Sequence, residues 1–341
     1  MLTREGGGHL AAFFFARAHD PPSWTQGVKV ITRREILPMI AGATGIAATA
    51  GSADNRTAAA KLSAPELRRV AYQSTRTGKE REYFVYLPRG FKQKDHWPVM
   101  LFLHGDGERG DAKAELDYVL IHGPLSEAWF QKRDLPFVII SPQLDKFSRG
   151  DIPYIRDRTP AQIPKRLADG VPARQDERNS RTEPTLGGLP ANNDLANAPL
   201  GPPEGWSEMD AEVMAMVDNT LREFKGDPGR VYITGLSYGG FGTWFFGSKY
   251  PRKFAAMAPV VGYGYPDQAA AIAAAKLPVW CFAGGRDPAV PPQYFFAAMN
   301  ELEKRGGVEN RFTIEADLGH FAWVRVYGGE DLYSWFLRHS R

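Results

Sequence analysis

Residues 230–240 read R-V-Y-I-T-G-L-S-Y-G-G, and this stretch decides the fold. Its first half is rich in β-branched and aromatic residues, the composition of a buried strand. Phe241 to Lys249 then reads as a helix. Between them lies Gly235-Leu236-Ser237-Tyr238-Gly239, a G-x-S-x-G pentapeptide in a strand–turn–helix context. A serine on so sharp a turn has strained backbone angles, and small neighbours let strand and helix approach each other. The turn lifts the hydroxyl above the sheet, and the helix N-terminus favours negative charge developing beside it. Ser237 is therefore the candidate nucleophile.

Working outward, the same grammar repeats. R-E-Y-F-V-Y-L-P (81–88) alternates and predicts an antiparallel strand, the second of two that begin near residue 66. P-V-M-L-F-L-H (98–104) and P-F-V-I-I-S-P (136–142) are continuous apolar runs, which mark strands buried on both faces. Further strands are expected at 230–235 after a D-P-G turn, and at 255–262, 278–284 and 310–315. Helical spacing appears between them. Ser207 to Phe224 carries Val213, Met214, Val217 and Leu221 on one face, with Ser207 as its cap. Pro292 to Lys304 and Glu330 to His339 are two more. Alternating strands and helices predict an α/β fold, a doubly wound and mostly parallel sheet with helices on both faces.

The chain has 341 residues, enough aromatic residues for a sizeable core (20 Phe, 13 Tyr, 8 Trp), and a net charge of only +3. The charges are interspersed, which argues against a nucleic-acid partner. A single cysteine, Cys281, excludes an internal disulfide and any multi-cysteine metal site, and no H-x-x-H pair occurs, so no metal and no cofactor is expected. G-D-G-E-R-G (105–110) lacks the G-K-[ST] of a phosphate loop.

A serine hydroxyl needs a base near neutral pH. With this turn the order along the chain is Ser, then Asp or Glu, then His. Only His320 and His339 follow Ser237. His339 lies in the terminal helix, whereas His320 sits in A-D-L-G-H-F-A-W, just past the 310–315 strand. Asp287, in G-G-R-D-P past the 278–284 strand, is the expected acid. Asp267 is the runner-up and reads as the cap of an Ala-rich helix, and Glu315 and Asp317 read as a strand-end charge and a turn residue. His320 would take the Ser237 proton and return it to the leaving group, with Asp287 fixing the imidazole tautomer. An oxyanion needs aimed donors. They are expected from the backbone N–H of Tyr238 and, in the loop His104–Gly110, from that of Asp106; His104 reads as structural. Tyr238, Tyr263, Tyr265 and Trp323 are candidates for the pocket wall or for ordinary packing.

Residues 146–205 do not fit the pattern. They hold nine of the 26 prolines and, as aromatics, only Phe147 and Tyr154. Such a stretch is either a functional covering of the site or a solvated excursion. The N-terminal end reads as an address: Thr32-Arg33-Arg34-Glu35-Ile36-Leu37, an apolar run over 36–50, and Ala48-Thr49-Ala50 as a small-x-small cleavage site. The paired arginines resemble a twin-arginine export signal, and the apolar run is short for a bilayer span. A start near Val28 would explain the long prefix. The expected organisation is an export signal and tether over 1–64 and one domain over 65–341, with 146–205 inserted.

L-F-L-H-G-D-G-E-R-G, G-L-S-Y-G-G, G-G-R-D-P-A-V-P and G-H-F-A-W occur in that order. With them the chain resembles the α/β-hydrolase superfamily over residues 66–145 and 206–341. The branch is that of carboxylesterases, feruloyl-type esterases, dienelactone-hydrolase-like proteins and prolyl-oligopeptidase-like peptidases. The resemblance implies Ser237, Asp287 and His320 as a triad, Asp106 and Tyr238 as oxyanion donors, and a small-molecule ester as substrate. Ser237 stands where a dienelactone hydrolase proper has Cys. A peptidase acting on small peptides is the second reading, and a non-catalytic binding protein, which predicts a broken triad, is the third.

Replacing Arg33 and Arg34 together with Lys should leave the precursor in the cytoplasm, read by fractionation of expressing cells; unimpaired export of that variant would remove the twin-arginine reading.

Overall fold

The computed structural model describes residues 62–175, 205–307 and 309–341. The export signal and tether, and part of the 146–205 insertion, lie outside the described residues. Strands β1 (Glu66–Gln73), β2 (Glu80–Leu87), β3 (Trp97–Leu103), β4 (Val138–Ser141), β5 (Gly226–Leu236), β6 (Ala256–Val260), β7 (Val279–Gly284) and β8 (Asn310–Glu315) form one eight-stranded sheet. Its order is β1-β2-β4-β3-β5-β6-β7-β8. The β1–β2 and β2–β4 pairs are antiparallel, and β4 through β8 run parallel.

The helices are α1 (Gly123–Trp129), α2 (Pro153–Arg156), α3 (Asp210–Glu223), α4 (Tyr238–Lys249), α5 (Pro266–Ala274), α6 (Phe296–Arg305), α7 (Trp323–Gly328) and α8 (Asp331–Leu337). Among the described residues no helix is long and apolar enough to cross a membrane.

The continuous apolar runs are explained by burial on both faces. In β3, Val99, Leu101 and Leu103 enter one hydrophobic cluster while Met100 and Phe102 enter the other. In β5, Val231 and Ile233 take the first face and Tyr232 and Leu236 the second. Each such side chain contributes about 1.5–3 kcal/mol when fully buried. Period-two geometry turns one apolar run into two cores, so no polar alternation is left to see.

Three local expectations are corrected. Ser207 does not cap the helix. Ser207–Met209 forms a single 3₁₀ turn, and α3 begins at Asp210 with no side-chain cap. The Asp210 carboxylate instead accepts from Lys249 and from the Tyr250 hydroxyl. The D-P-G residues do not precede the strand but bulge within it: Trp97 pairs with Gly226 and Val99 with Val231. Asp227 stabilises the bulge by accepting from the Gly229 N–H at 2.9 Å. Asp267 sits in the first turn of α5, whose cap position is Tyr265; Gln268 accepts from the Tyr265 N–H at 3.0 Å.

The chain leaves β3 towards β4 on one side, then returns to place β5 on the other. A crevice opens at the carboxyl ends of strands where the winding reverses in this way. The close approach there depends on glycine. A Cβ on Gly239 would lie 1.8 Å from the Leu103 carbonyl oxygen, and one on Gly235 would lie 2.3 Å from the Gly239 carbonyl oxygen. Neither obstacle is a flexible side chain. Gly239→Ala should therefore destabilise the fold by on the order of 3 kcal/mol, measured as a lower urea midpoint; an unchanged midpoint would mean that α4 does not seat this tightly on β3.

Candidate active site

Ser237 ends β5 and opens α4 with φ 52° and ψ −114°. That left-handed φ is costly for a non-glycine residue and survives only where the surroundings impose it. Here the Ser237 N–H donates to the Val260 carbonyl at 2.9 Å, and its carbonyl accepts from the Phe241 N–H at 3.1 Å. The turn is thus tied to β6 on one side and to its own helix on the other.

Three distant side chains meet at this turn. His320 Nε2 lies 2.9 Å from Ser237 Oγ, and His320 Nδ1 lies 2.7 Å from Asp287 Oδ2. Asp287 follows β7 and is 3% exposed. Its other oxygen, Oδ1, accepts from the backbone N–H groups of Ala289 and Val290 at 2.8 and 2.9 Å. One carboxylate oxygen is therefore held by the loop and the other faces the imidazole. This arrangement selects Nδ1–H and leaves the Nε2 lone pair aimed at the serine hydroxyl. The His320 ring packs edge-on against Trp323, with centroids 5.1 Å apart.

The competing residues are engaged elsewhere. Glu315 and Asp317 both accept from Arg325, at 2.9 and 2.8 Å. His339 lies just past the end of α8, its Nε2 3.5 Å from Glu309. His104 is structural. Its Nδ1 meets the Gly105 carbonyl at 2.6 Å and its Nε2 accepts from the Leu144 N–H at 2.9 Å.

Ser237, Tyr238, Asp106 and His320 border one cavity of about 830 Å³. Tyr118, Ile121, Phe130, Trp323 and Val324 supply much of its apolar wall. Of the four aromatic residues left open between pocket wall and packing, Trp323 and Tyr238 line it. Tyr263 and Tyr265 do not; they pack with Phe241, Tyr294 and Phe295 in the core on the α4 side.

Sequence reasoning missed several residues here. Glu108 is buried, with its carboxyl 3.4 Å from His122 Nε2 and 3.9 Å from His104 Nδ1. Burial pushes Glu108 up to about 7 and holds His122 down to about 4. From the insertion, Arg149, Tyr154, Arg158 and Arg174 also reach the cavity. The sole aromatics of that stretch, Phe147 and Tyr154, were the available signal. Tyr154 reaches Asp106, and Phe147 is covered by the guanidinium of Arg76 at 4.8 Å.

No family model matches the chain. A stretch of 53 residues is 45% identical to poly(3-hydroxyalkanoate) depolymerase C of Paucimonas lemoignei, covering 16% of this chain and 13% of that protein. Among solved structures, a thermostable esterase is similar with a TM-score of 0.55 at 22% identity, over 81% of this chain and 63% of that one. FphF, a fluorophosphonate-binding serine hydrolase of Staphylococcus aureus, is similar at 0.50 and 14%, over 81% and 99%. An S-formylglutathione hydrolase of Agrobacterium tumefaciens is similar at 0.50 and 15%, over 81% and 95%. Sheet order, serine turn and these likenesses agree: the chain has the α/β-hydrolase fold.

The buried histidines give a pH test. Burial holds His104 at about 3 and His122 at about 4, both below the ordinary value of 6.5. The unfolded chain therefore binds protons that the fold refuses, and the stability they contribute above about pH 6.5 is lost as pH falls. Glu108, raised to about 7, works the other way between its unfolded value and neutrality. From pH 7 to pH 5 the urea midpoint of His122→Gln should fall less steeply than that of the unmodified protein; parallel slopes would mean that His122 titrates alike in both states.

Proposed function

We propose that the protein is a serine hydrolase that cleaves carboxylic esters through an acyl-enzyme. The observation that carries this is the unbroken hydrogen-bonded series from Ser237 through His320 to Asp287, set on a strained turn at the base of the cavity. As Ser237 Oγ attacks the ester carbonyl, its proton passes to His320 Nε2. Asp287 stabilises the imidazolium without taking the proton, because its Oδ1 stays hydrogen-bonded to the loop. The tetrahedral oxyanion is held by the backbone N–H groups of Tyr238 and Asp106. Collapse of the intermediate breaks the ester C–O bond, and His320 gives its proton to the departing alcohol. Water, activated by the same imidazole, then releases the acid and restores Ser237.

Esters are favoured over amides by the stretch shared with a protein named poly(3-hydroxyalkanoate) depolymerase C, since a hydroxyalkanoate polymer is joined through ester bonds. The apolar wall around Ile121, Phe130 and Trp323 suits an acyl or aryl group larger than acetyl. The reaction would take place outside the cytoplasm if residues 32–50 act as the export signal.

Purified protein should hydrolyse p-nitrophenyl butyrate faster than the acetate, by up to roughly tenfold in kcat/KM. Ser237→Ala should lower turnover by about 10⁴-fold or more, and Asp287→Asn by up to about 10⁴-fold. A Ser237→Ala protein that keeps its turnover would defeat the assignment.

A further inference from the structure

Two residues proposed to carry the oxyanion-binding N–H groups, Asp106 and Tyr238, stand on different loops, after β3 and at the start of α4. Their side chains are not independent. The Asp106 carboxylate is buried, 9% exposed, and a charge so placed must be compensated. Arg109, three residues on in the same loop, donates Nε to Oδ1. The other partners come from the insertion. Arg149 Nε reaches Oδ1 and Oδ2 at 2.7 and 2.8 Å, Arg149 Nη2 reaches Oδ2, and the Tyr154 hydroxyl donates to Oδ2. The same two guanidinium groups lie against the Tyr238 ring, Arg109 at 4.5 Å and Arg149 at 5.1 Å from its centroid. Arg149 thus touches the side chains of both donor-bearing residues at once.

Neighbouring contacts hold the insertion to the same loop. Arg158 donates to the Gly107 carbonyl at 2.7 Å and to Glu115 at 2.9 Å, and Lys146 reaches Glu115 at 2.7 Å. Lys146, Arg149 and Arg158 of the insertion thus all reach the chain between β3 and α1.

We propose that Arg149 and Tyr154 are positioning residues, which act through the Asp106 carboxylate and the Tyr238 ring to fix the aim of the two backbone donors. This rests on the serine hydrolase reading above. A planar guanidinium that bridges a carboxylate and an aromatic face sets both distance and orientation, which a lysine does not reproduce. Donors aimed at an oxyanion lose most of their effect when displaced by a fraction of an ångström to an ångström.

The test compares Arg149→Ala, Arg149→Lys and Tyr154→Phe with the unmodified full chain on p-nitrophenyl butyrate, and titrates each with phenylboronic acid, which forms a tetrahedral anionic adduct on an active serine. Arg149→Ala should lower kcat by roughly ten- to a hundredfold with KM nearly unchanged, and weaken the boronate by a similar factor. Arg149→Lys should recover only part of both losses. Tyr154→Phe removes one hydroxyl from a half-exposed ring, so it keeps the native fold as a reference if Arg149→Ala does not; its kcat and boronate affinity should both fall several-fold. Unchanged kcat and boronate affinity in Tyr154→Phe and in a folded Arg149 variant would overturn the proposal. So would a rise in KM alone, which marks a plain substrate wall. The two readings fail separately: if Ser237→Ala keeps its turnover the hydrolase assignment falls, and if Ser237→Ala is dead while the Arg149 and Tyr154 variants are normal, only the positioning role falls.

Discussion

The left-handed turn at Ser237 is the constraint on which the rest of the site depends. A residue with a Cβ at φ 52° is strained by on the order of 1–3 kcal/mol. It holds because the helix that follows is pressed onto β3, with Gly239 seated against the Leu103 carbonyl, and because β6 receives the serine N–H. The large two-faced core supplies the stability that offsets the strain. The turn in return presents Oγ at the carboxyl edge of the sheet, where the loops after β7 and β8 deliver Asp287 and His320. Each of the three residues sits just past a neighbouring or nearby strand, so register along the parallel ladder translates into hydrogen-bond distance at the rim.

Charge is handled differently at the two sides of the cavity. On the triad side, Asp287 stays compensated by two backbone N–H groups and one imidazole. On the facing side, the Asp106 carboxylate accepts hydrogen bonds from two arginines and a tyrosine, one arginine local and the other two groups supplied by the insertion. Deeper in, Glu108, His104 and His122 meet burial by shifting toward neutrality rather than by pairing with full charges.

Much of this was legible in the chain. The apolar runs at 98–104, 136–142 and 278–284 announced buried strands because a strand covered on both faces needs no polar alternation. Ser237, Asp287 and His320 could be read from chain order because each follows a recognisable strand end. Where reading failed, long-range packing overrode local chemistry. Ser207 has the right residue type for a cap, yet residues 207–209 form a 3₁₀ turn beside Trp206, which is fully buried against His104. Tyr263 and Tyr265 follow a strand end as site residues do, and of the two roles the sequence left open to them the fold gives ordinary packing in the aromatic cluster under α4.

By itself the sequence determined the order of the strands, the strongly periodic helices, the serine turn, and which acid and which histidine were available to it, since periodicity and glycine placement are local properties. Only the tertiary structure decided that Oδ2 of Asp287 faces the imidazole, that Glu108 and His122 share a buried corner, and that Arg149 and Tyr154 reach back to Asp106. Those contacts join residues 14 to 48 positions apart, and a side chain's partner across such separations is set by how the layers pack, which no local pattern records.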